Sequence, residues 1–183
     1  VTLGLLRRVV EGDRLVRGGR PWRFSPTFML GRGLGGLTLG LVGFGQIGRE
    51  VGRLAEAFGM RVVHHTRSGV GEPGWVPLDE LLAAADVISL HCALTDETRH
   101  LIDAAALARM KPTVVLVNAA RGAVVDEPAL VEALRAGTIA GAALDVYERE
   151  PEVLRGVLLD GRLPENVLNP QADRRGLDQA TMR

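Results

Sequence analysis

Short apolar runs alternate with amphipathic stretches along most of this chain. The first run, residues 37–42, leads directly into the glycine-rich segment GFGQIG at residues 43–48. Apolar residues then recur every three to four positions until Gly59, which is typical of an α-helix with one buried face. A second apolar run, residues 60–63, follows at once. The pattern predicts a strand, a glycine-rich turn, a helix and a second strand in succession.

The same alternation continues along the chain. Further helices are predicted for residues 2–17, 79–85, 103–110 and 126–137, and further strands for 87–91, 114–117, 139–146 and 167–168. Residues 69–76 are predicted to form a loop. Asp103 and Asp126 are the predicted N-caps of their helices, and Gly137 is the predicted helix stop. This order of elements predicts an α/β fold with a doubly wound parallel sheet.

A glycine-rich turn between a strand and a helix predicts a dinucleotide-binding site. Gly43 allows the tight turn, Gly45 lets a pyrophosphate approach the backbone, and Gly48 lets the helix pack closely. The phosphates are expected near Gln46 and Ile47, where the free N–H groups of the first helical turn point outward at the positive end of the helix dipole.

The end of the second strand predicts which dinucleotide binds. In NAD sites an acidic residue about 20 positions past the glycines accepts from the ribose 2′-hydroxyl. Here Thr66 stands 18 residues after Gly48, and Arg67 and Ser68 follow it. A guanidinium and a hydroxyl suit a 2′-phosphate, which favours NADP(H) over NAD(H). The alternative is that Arg67 is only a solvated loop charge.

In an open parallel sheet, ligands bind beyond the carboxyl ends of the strands. The remaining candidate cofactor contacts are Cys92 and Ala93 after the third strand, Ala119 and Ala120 after the fourth, and Asp145 after the fifth. The four histidines do not form a metal site with other ligands. His64 and His65 lie on the second predicted strand, where successive side chains point to opposite faces. His65 is interpreted as packed or solvated, with a contact to the adenosine as the alternative. His91 is interpreted as structural, and His100 is expected to be exposed in a loop.

Composition limits the classes of function. The chain has 183 residues and a formal net charge of zero, which does not favour nucleic acid or an anionic membrane as a partner. No apolar run approaches the ~20 residues that a membrane span needs. Cys92 is the single cysteine, so a reducing cytoplasm is the expected compartment. The chain starts with Val1 and not Met, which indicates a fragment of a longer protein.

Three sequence blocks resemble the D-isomer-specific 2-hydroxyacid dehydrogenases: GLVGFGQIG, NAARGAVVDEPALVEAL and GAALDVYEREP. The resemblance implies one cofactor-binding domain over residues 1–183, with a leading helix and loop (1–36), a Rossmann core (37–170) and the start of a C-terminal segment (171–183). The family's substrate-binding domain has no counterpart here. The resemblance also implies a homodimer and a small 2-oxo or 2-hydroxy acid as substrate.

The same resemblance implies roles for individual residues. Arg121 matches the arginine that holds the substrate carboxylate and carbonyl, and Asp145 the aspartate near the nicotinamide carboxamide. Glu150 matches the glutamate that partners the catalytic histidine. That histidine follows a proline in the family, whereas Gln171 follows Pro170 here. An amide cannot supply the general acid–base help that is typically worth about 10²–10⁴-fold.

Two functions therefore remain open. The first is the cofactor domain of an NADP-preferring 2-hydroxyacid dehydrogenase that is inactive by itself. The second is a dinucleotide-binding module without efficient chemistry, similar to the corepressor branch of the same family. A dehydrogenase acting on sugars or short-chain alcohols would need a Tyr-x-x-x-Lys pair, and Tyr147 and Lys111 have the wrong spacing.

Overall fold

Five parallel strands form the centre of the fold. The computed structural model describes residues 1–19, 21, 23, 25–69 and 71–148. The strands are β1 (Thr38–Val42), β2 (Arg61–His65), β3 (Val87–Leu90), β4 (Val115–Asn118) and β5 (Gly141–Leu144). They lie in the order β2-β1-β3-β4-β5, and every neighbouring pair is parallel. The predicted doubly wound α/β fold is confirmed. The strand predicted at residues 167–168 lies outside the described residues.

Six α-helices accompany the strands in the described part of the chain. They are α1 (Thr2–Leu6), α2 (Val9–Arg17), α3 (Gln46–Ala57), α4 (Leu78–Ala84), α5 (Ala104–Ala108) and α6 (Glu127–Ala136). Two predicted N-caps are confirmed, because Asp103 accepts from Ala106 N at 2.8 Å and Asp126 from Ala129 N at 3.2 Å. Gly137 ends α6 with a φ of 68°. α5 and β5 are shorter than predicted.

Side chains alternate between two cores, one on each face of the sheet. Leu39 and Leu41 of β1 belong to the core that includes Leu5 of α1 and Ala55 of α3. On the opposite face, the strands pack against α4, α5 and α6, and this core includes Val42, Ile88, Leu90, Leu116, Leu81, Leu107 and Leu130. Burying one such aliphatic side chain stabilises the fold by roughly 1.5–3 kcal/mol.

The prediction of a single helix over residues 2–17 is wrong. Two helices meet at Arg8, whose φ of 54° lies in the left-handed region. Leu5 and Leu6 are buried against the sheet, and the Leu6 carbonyl accepts from Arg32 N at 2.9 Å. These contacts hold α1 to the core and draw the chain off a continuous helical path.

Residues 69–76 were predicted to form a loop, and their described residues contain no helix or full strand. The loop nevertheless pairs with the sheet at one residue. Trp75 forms a single parallel β-bridge with His64 at the outer edge of β2. Two backbone hydrogen bonds support it, His64 N to Gly74 O at 2.8 Å and Val76 N to His64 O at 2.9 Å. If this bridge is counted as the third strand, the order becomes 3-2-1-4-5-6, which is the order of dinucleotide-binding sheets.

Candidate functional site

The carboxyl ends of all five strands lie in one row. Val42 pairs with both His65 and Leu90, Leu90 pairs with Asn118, and Asn118 pairs with Leu144. The predicted site segments therefore begin at the same edge of the sheet: residues 43–48 after β1, Thr66, Arg67 and Ser68 after β2, Cys92 and Ala93 after β3, Ala119, Ala120 and Arg121 after β4, and Asp145 after β5.

Gly43 lies at the point where the strand order reverses, between β1 and β3. Its φ is 96°, and its N–H donates to the His65 carbonyl at 2.9 Å. A Cβ on Gly43 would lie 2.6 Å from both Cys92 N and His91 C. The turn thus needs glycine both for its conformation and for its close approach to the segment after β3.

The other two glycines differ in what surrounds them. A Cβ on Gly48 would collide with the Gly43 carbonyl oxygen, so Gly48 packs α3 against the turn. A Cβ on Gly45 would meet nothing within 4 Å. Gly45 is the N-cap of α3, and no described side chain caps the helix. Open space beside the N–H groups of Gln46 and Ile47 fits the pyrophosphate of a dinucleotide.

Phe44, the second residue of the glycine-rich turn, contacts two side chains. Its ring stacks on His64 with centroids 3.9 Å apart, and Arg49 Cζ lies 4.6 Å from the centroid of the Phe44 ring. His64 is 1% exposed and its Nε2 lies 3.2 Å from the Pro73 carbonyl. His65 Nδ1 lies 3.1 Å from the Val76 carbonyl. The structure therefore gives both histidines contacts with the turn or the loop after β2.

Arg67 extends from the end of β2 and pairs with a carboxylate that sequence reasoning missed. Its Nη1 lies 3.3 Å from Glu97 Oε2, and both side chains are more than two-thirds exposed. Thr95 Oγ1 donates to Glu97 at 2.7 Å, and this hydrogen bond lowers the pKa of Glu97. Glu97 comes from the loop after β3, so no local signal in residues 66–68 points to it. Arg67 is exposed, but it is not a free cation.

Asn118 shapes the loop that presents Arg121. It is 1% exposed, and its Oδ1 accepts from Ala120 N while its Nδ2 donates to the Arg121 carbonyl, both at 3.0 Å. The Arg121 side chain is exposed, and its Nη1 donates to the Ala120 carbonyl at 2.7 Å. Asp145 N donates to the Asn118 carbonyl at 3.0 Å. The position of Asn118 at the end of β4 follows from the sequence, but its two side-chain hydrogen bonds to the loop do not.

The residues after β3 are held by burial and by hydrogen bonds, among them His91 N to the Val42 carbonyl at 2.7 Å. His91 Nε2 lies 2.9 Å from Ser89 Oγ, and burial lowers the pKa of His91. Burial also raises the pKa of the Cys92 thiol. Cys92 is therefore protonated at neutral pH, which makes it a poor nucleophile. The interpretation of His91 as structural agrees with these contacts.

His100 lies in the loop between β3 and α5, as expected, and it is partly exposed. Its side chain is 40% exposed and its Nε2 lies 2.7 Å from Glu148 Oε2. Glu150 and Gln171 lie outside the described residues. Within the part of the chain that the structure describes, no group of three or more His, Cys, Asp or Glu side chains is arranged to hold a metal ion. No helix among the described residues is long and apolar enough to cross a bilayer.

Comparison with known proteins decides the family. The model of the D-isomer specific 2-hydroxyacid dehydrogenase NAD-binding domain matches residues 1–170. The chain belongs to this family. A glyoxylate reductase of Aeropyrum pernix is 50% identical over 159 residues, which cover 81% of this chain and 48% of that protein. The resemblance inferred from the sequence blocks is confirmed.

Solved structures of similar proteins agree with the family's fold. The TT0316 protein of Thermus thermophilus has a TM-score of 0.83 at 47% identity, covering 91% of this chain and 53% of that one. A glyoxylate reductase from Paecilomyes thermophila has a TM-score of 0.77 at 44% identity, covering 92% and 51%. The chain thus spans about half the length of the family members it matches, and the matched half is the NAD-binding domain.

Proposed function

We propose that this chain is the cofactor-binding half of an oxidoreductase that reduces small 2-oxo acids to 2-hydroxy acids. The observation that supports this most directly is the position of Arg121. Its exposed guanidinium follows β4, at the same sheet edge as the glycine-rich turn after β1. A nicotinamide dinucleotide bound there would supply the hydride.

The chemistry of Arg121 suits a 2-oxo acid. Such an acid presents a carboxylate and a neighbouring carbonyl oxygen in one plane, and a guanidinium fork matches this geometry with two hydrogen bonds. The same positive charge favours the negative charge that grows on the carbonyl oxygen during reduction. We further propose that Glu150 partners the side chain that exchanges a proton with the substrate oxygen. Asp145 is proposed to contact the nicotinamide carboxamide. The similar glyoxylate reductases favour glyoxylate as a first substrate to test.

The test is an activity assay on the full-length protein and on this chain alone. We expect the full-length protein to reduce glyoxylate or hydroxypyruvate with NADPH, and we expect the isolated chain to be inactive, because the substrate-binding domain is proposed to lie outside it. Absence of turnover by the full-length protein with both acids and both nucleotides would contradict the proposal.

A second candidate function is a dinucleotide-binding module without efficient chemistry. Gln171 favours it, because an amide after Pro170 cannot donate a proton and take it back near neutral pH. The two candidates differ in one outcome: the second predicts nucleotide binding by the full-length protein without reduction of either 2-oxo acid. Replacing Gln171 with histidine should then raise turnover.

We also propose that NADP(H) is preferred over NAD(H). The positive charge of Arg67 supports this preference, and so does the presence of Thr66 where NAD sites have an acidic residue. Glu97 opposes it, because its negative charge pairs with Arg67. Similar solved proteins hold either nucleotide: an acyclic imino acid reductase is in complex with NADPH, and a D-lactate dehydrogenase of Aquifex aeolicus is complexed with NAD. Dissociation constants for NADPH and NADH, measured side by side, test the proposal.

A homodimer is the proposed assembly, and the leading helices are its proposed contact surface. Leu3 of α1 and Val9 and Val16 of α2 are 48%, 57% and 75% exposed. Light scattering on the full-length protein should give twice the monomer mass, and a monomer would contradict the proposal. We propose a cytoplasmic location on the basis of the single cysteine.

A further inference from the structure

Glu148 joins the segment after β5 to the loop between β3 and α5. Its Oε1 accepts from Arg99 Nη1 at 2.8 Å, and its Oε2 lies 2.7 Å from His100 Nε2. A carboxylate only accepts hydrogen bonds, so Nε2 of His100 bears the proton in this contact. The Glu148 side chain is only 21% exposed, which makes these bonds stronger than those of a fully solvated pair.

The backbone of Glu148 makes a third contact, to the start of α6. Its N–H donates to Glu127 Oε1 at 2.6 Å, and Glu127 is 3% exposed at the first position of that helix. A buried carboxylate needs hydrogen-bond donors, and the N–H of Glu148 is the donor that the described residues provide. Glu148 thus contacts both the loop before α5 and the beginning of α6.

Residues 121–125, which we call the Arg121 turn, lie between the same two segments. On one side a Cβ on Gly122 would collide with the backbone of Tyr147 and Glu148. On the other side Ala123 O accepts from His100 N at 2.8 Å, and Val124 O accepts from Ile102 N at 3.1 Å. The turn is therefore enclosed by the two segments that the Glu148 side chain links.

We propose that Glu148 is a positioning residue that fixes the Arg121 turn, and with it the guanidinium that receives the 2-oxo acid. This inference rests on the proposed function for its effect on substrate. Without the Glu148 carboxylate, the segment after β5 loses its side-chain contacts with Arg99 and His100 but keeps the backbone bond to Glu127, so it is held less tightly against Gly122. The glycine-rich turn after β1 shares none of these contacts, so the proposed pyrophosphate contacts are kept and nucleotide affinity is expected to change much less than substrate affinity.

The test compares three variants of the full-length protein. Glu148→Ala removes both side-chain contacts. Glu148→Gln keeps an acceptor for Arg99 and can donate to the other tautomer of His100. Glu132→Ala is the matched control, because it removes an exposed carboxylate that pairs with Arg135 on α6 at 2.8 Å. The measurements are KM and kcat for glyoxylate, the dissociation constant of the nucleotide, and backbone amide exchange in residues 121–125.

We expect Glu148→Ala to raise KM on the order of tenfold and to speed amide exchange in the Arg121 turn, with the nucleotide constant within about twofold. Glu148→Gln should recover most of the KM, and Glu132→Ala should change neither quantity. Unchanged KM and exchange in Glu148→Ala would overturn the proposal, as would a matching loss of nucleotide affinity. A wild-type protein without turnover would contradict the proposed function, and amide exchange alone would then decide whether Glu148 orders the turn.

Discussion

The substitution Gly45→Ala separates the binding role of the glycine-rich turn from its structural role. Gly45 has a φ of −79° and a ψ of −160°, which alanine also adopts, and the added Cβ would meet nothing within 4 Å. Alanine is a poorer N-cap than glycine by up to about 1 kcal/mol, but it restricts the unfolded chain by about 0.4–1 kcal/mol. The two effects offset, so we expect the free energy of unfolding to change by about 0.5 kcal/mol or less.

The expected effect on dinucleotide binding is much larger. The added methyl group occupies the space through which a pyrophosphate approaches the N–H groups of Gln46 and Ile47. A hydrogen bond to a charged group contributes about 1.5–3 kcal/mol, so loss of one such contact weakens binding about 10- to 100-fold. The reason is steric exclusion of the ligand and not damage to the fold.

Calorimetric titration with NADPH and NADH measures the affinity, and urea unfolding of the same samples measures the stability. Wild-type affinity in a folded Gly45→Ala variant would refute the argument, because the phosphates would then bind elsewhere. Equal losses of affinity and stability would show that the open space beside Gly45 has no binding role of its own.

Three further predictions concern the same edge of the sheet. Gly43→Ala should destabilise the fold by roughly 2–5 kcal/mol in urea unfolding, because it combines a φ of 96° with contacts of 2.6 Å to backbone atoms. Arg67→Ala should weaken NADPH binding on the order of tenfold and leave NADH binding within about twofold. Glu97→Gln should strengthen NADPH binding. Equal effects of either variant on both nucleotides would contradict the proposed preference. Burial lowers the pKa of His91 below its ordinary 6.5. Neutral His91 therefore stabilises the fold above about pH 6.5, and this contribution is lost as the pH falls below that value. In the His91→Gln variant, the free energy of unfolding should decline less between about pH 7.5 and 5 than in the wild type.

Local sequence signals were sufficient for the elements around the nucleotide site. The strand, the glycine-rich turn and α3 follow from apolar spacing and three glycines, and each glycine has the surroundings expected of its role. The N-caps Asp103 and Asp126 were predicted for the same reason, since capping depends only on residues within one helical turn.

Tertiary contacts decided the features that sequence reasoning missed. The helix breaks at Arg8 because Leu5 and Leu6 pack on the sheet and Arg32 N donates to the Leu6 carbonyl. These contacts come from distant parts of the chain, so the spacing of apolar residues does not predict them. Trp75 lies in a segment rich in glycine and proline, whose sequence does not predict a strand. Trp75 is bridged to the sheet because it pairs with His64 of β2.

The two carboxylates near the site were missed for a similar reason. Glu97 and Glu148 approach Arg67 and His100 from other loops, and both partners are far away in the sequence. Spacing within a motif cannot reveal such pairs, because parallel strands bring distant loops to one edge of the sheet.

The central claim, that Arg121 receives a 2-oxo acid beside a bound dinucleotide, is tested most directly by the kcat/KM of Arg121→Ala. The assay uses the full-length protein with saturating nucleotide and glyoxylate, and Arg135→Ala serves as the control because Arg135 is an exposed partner of Glu132. Loss of a charge pair of this kind costs about 2–5 kcal/mol, so kcat/KM should fall by about 30- to 5,000-fold with the nucleotide dissociation constant unchanged. A kcat/KM for Arg121→Ala within about threefold of the control would contradict the account.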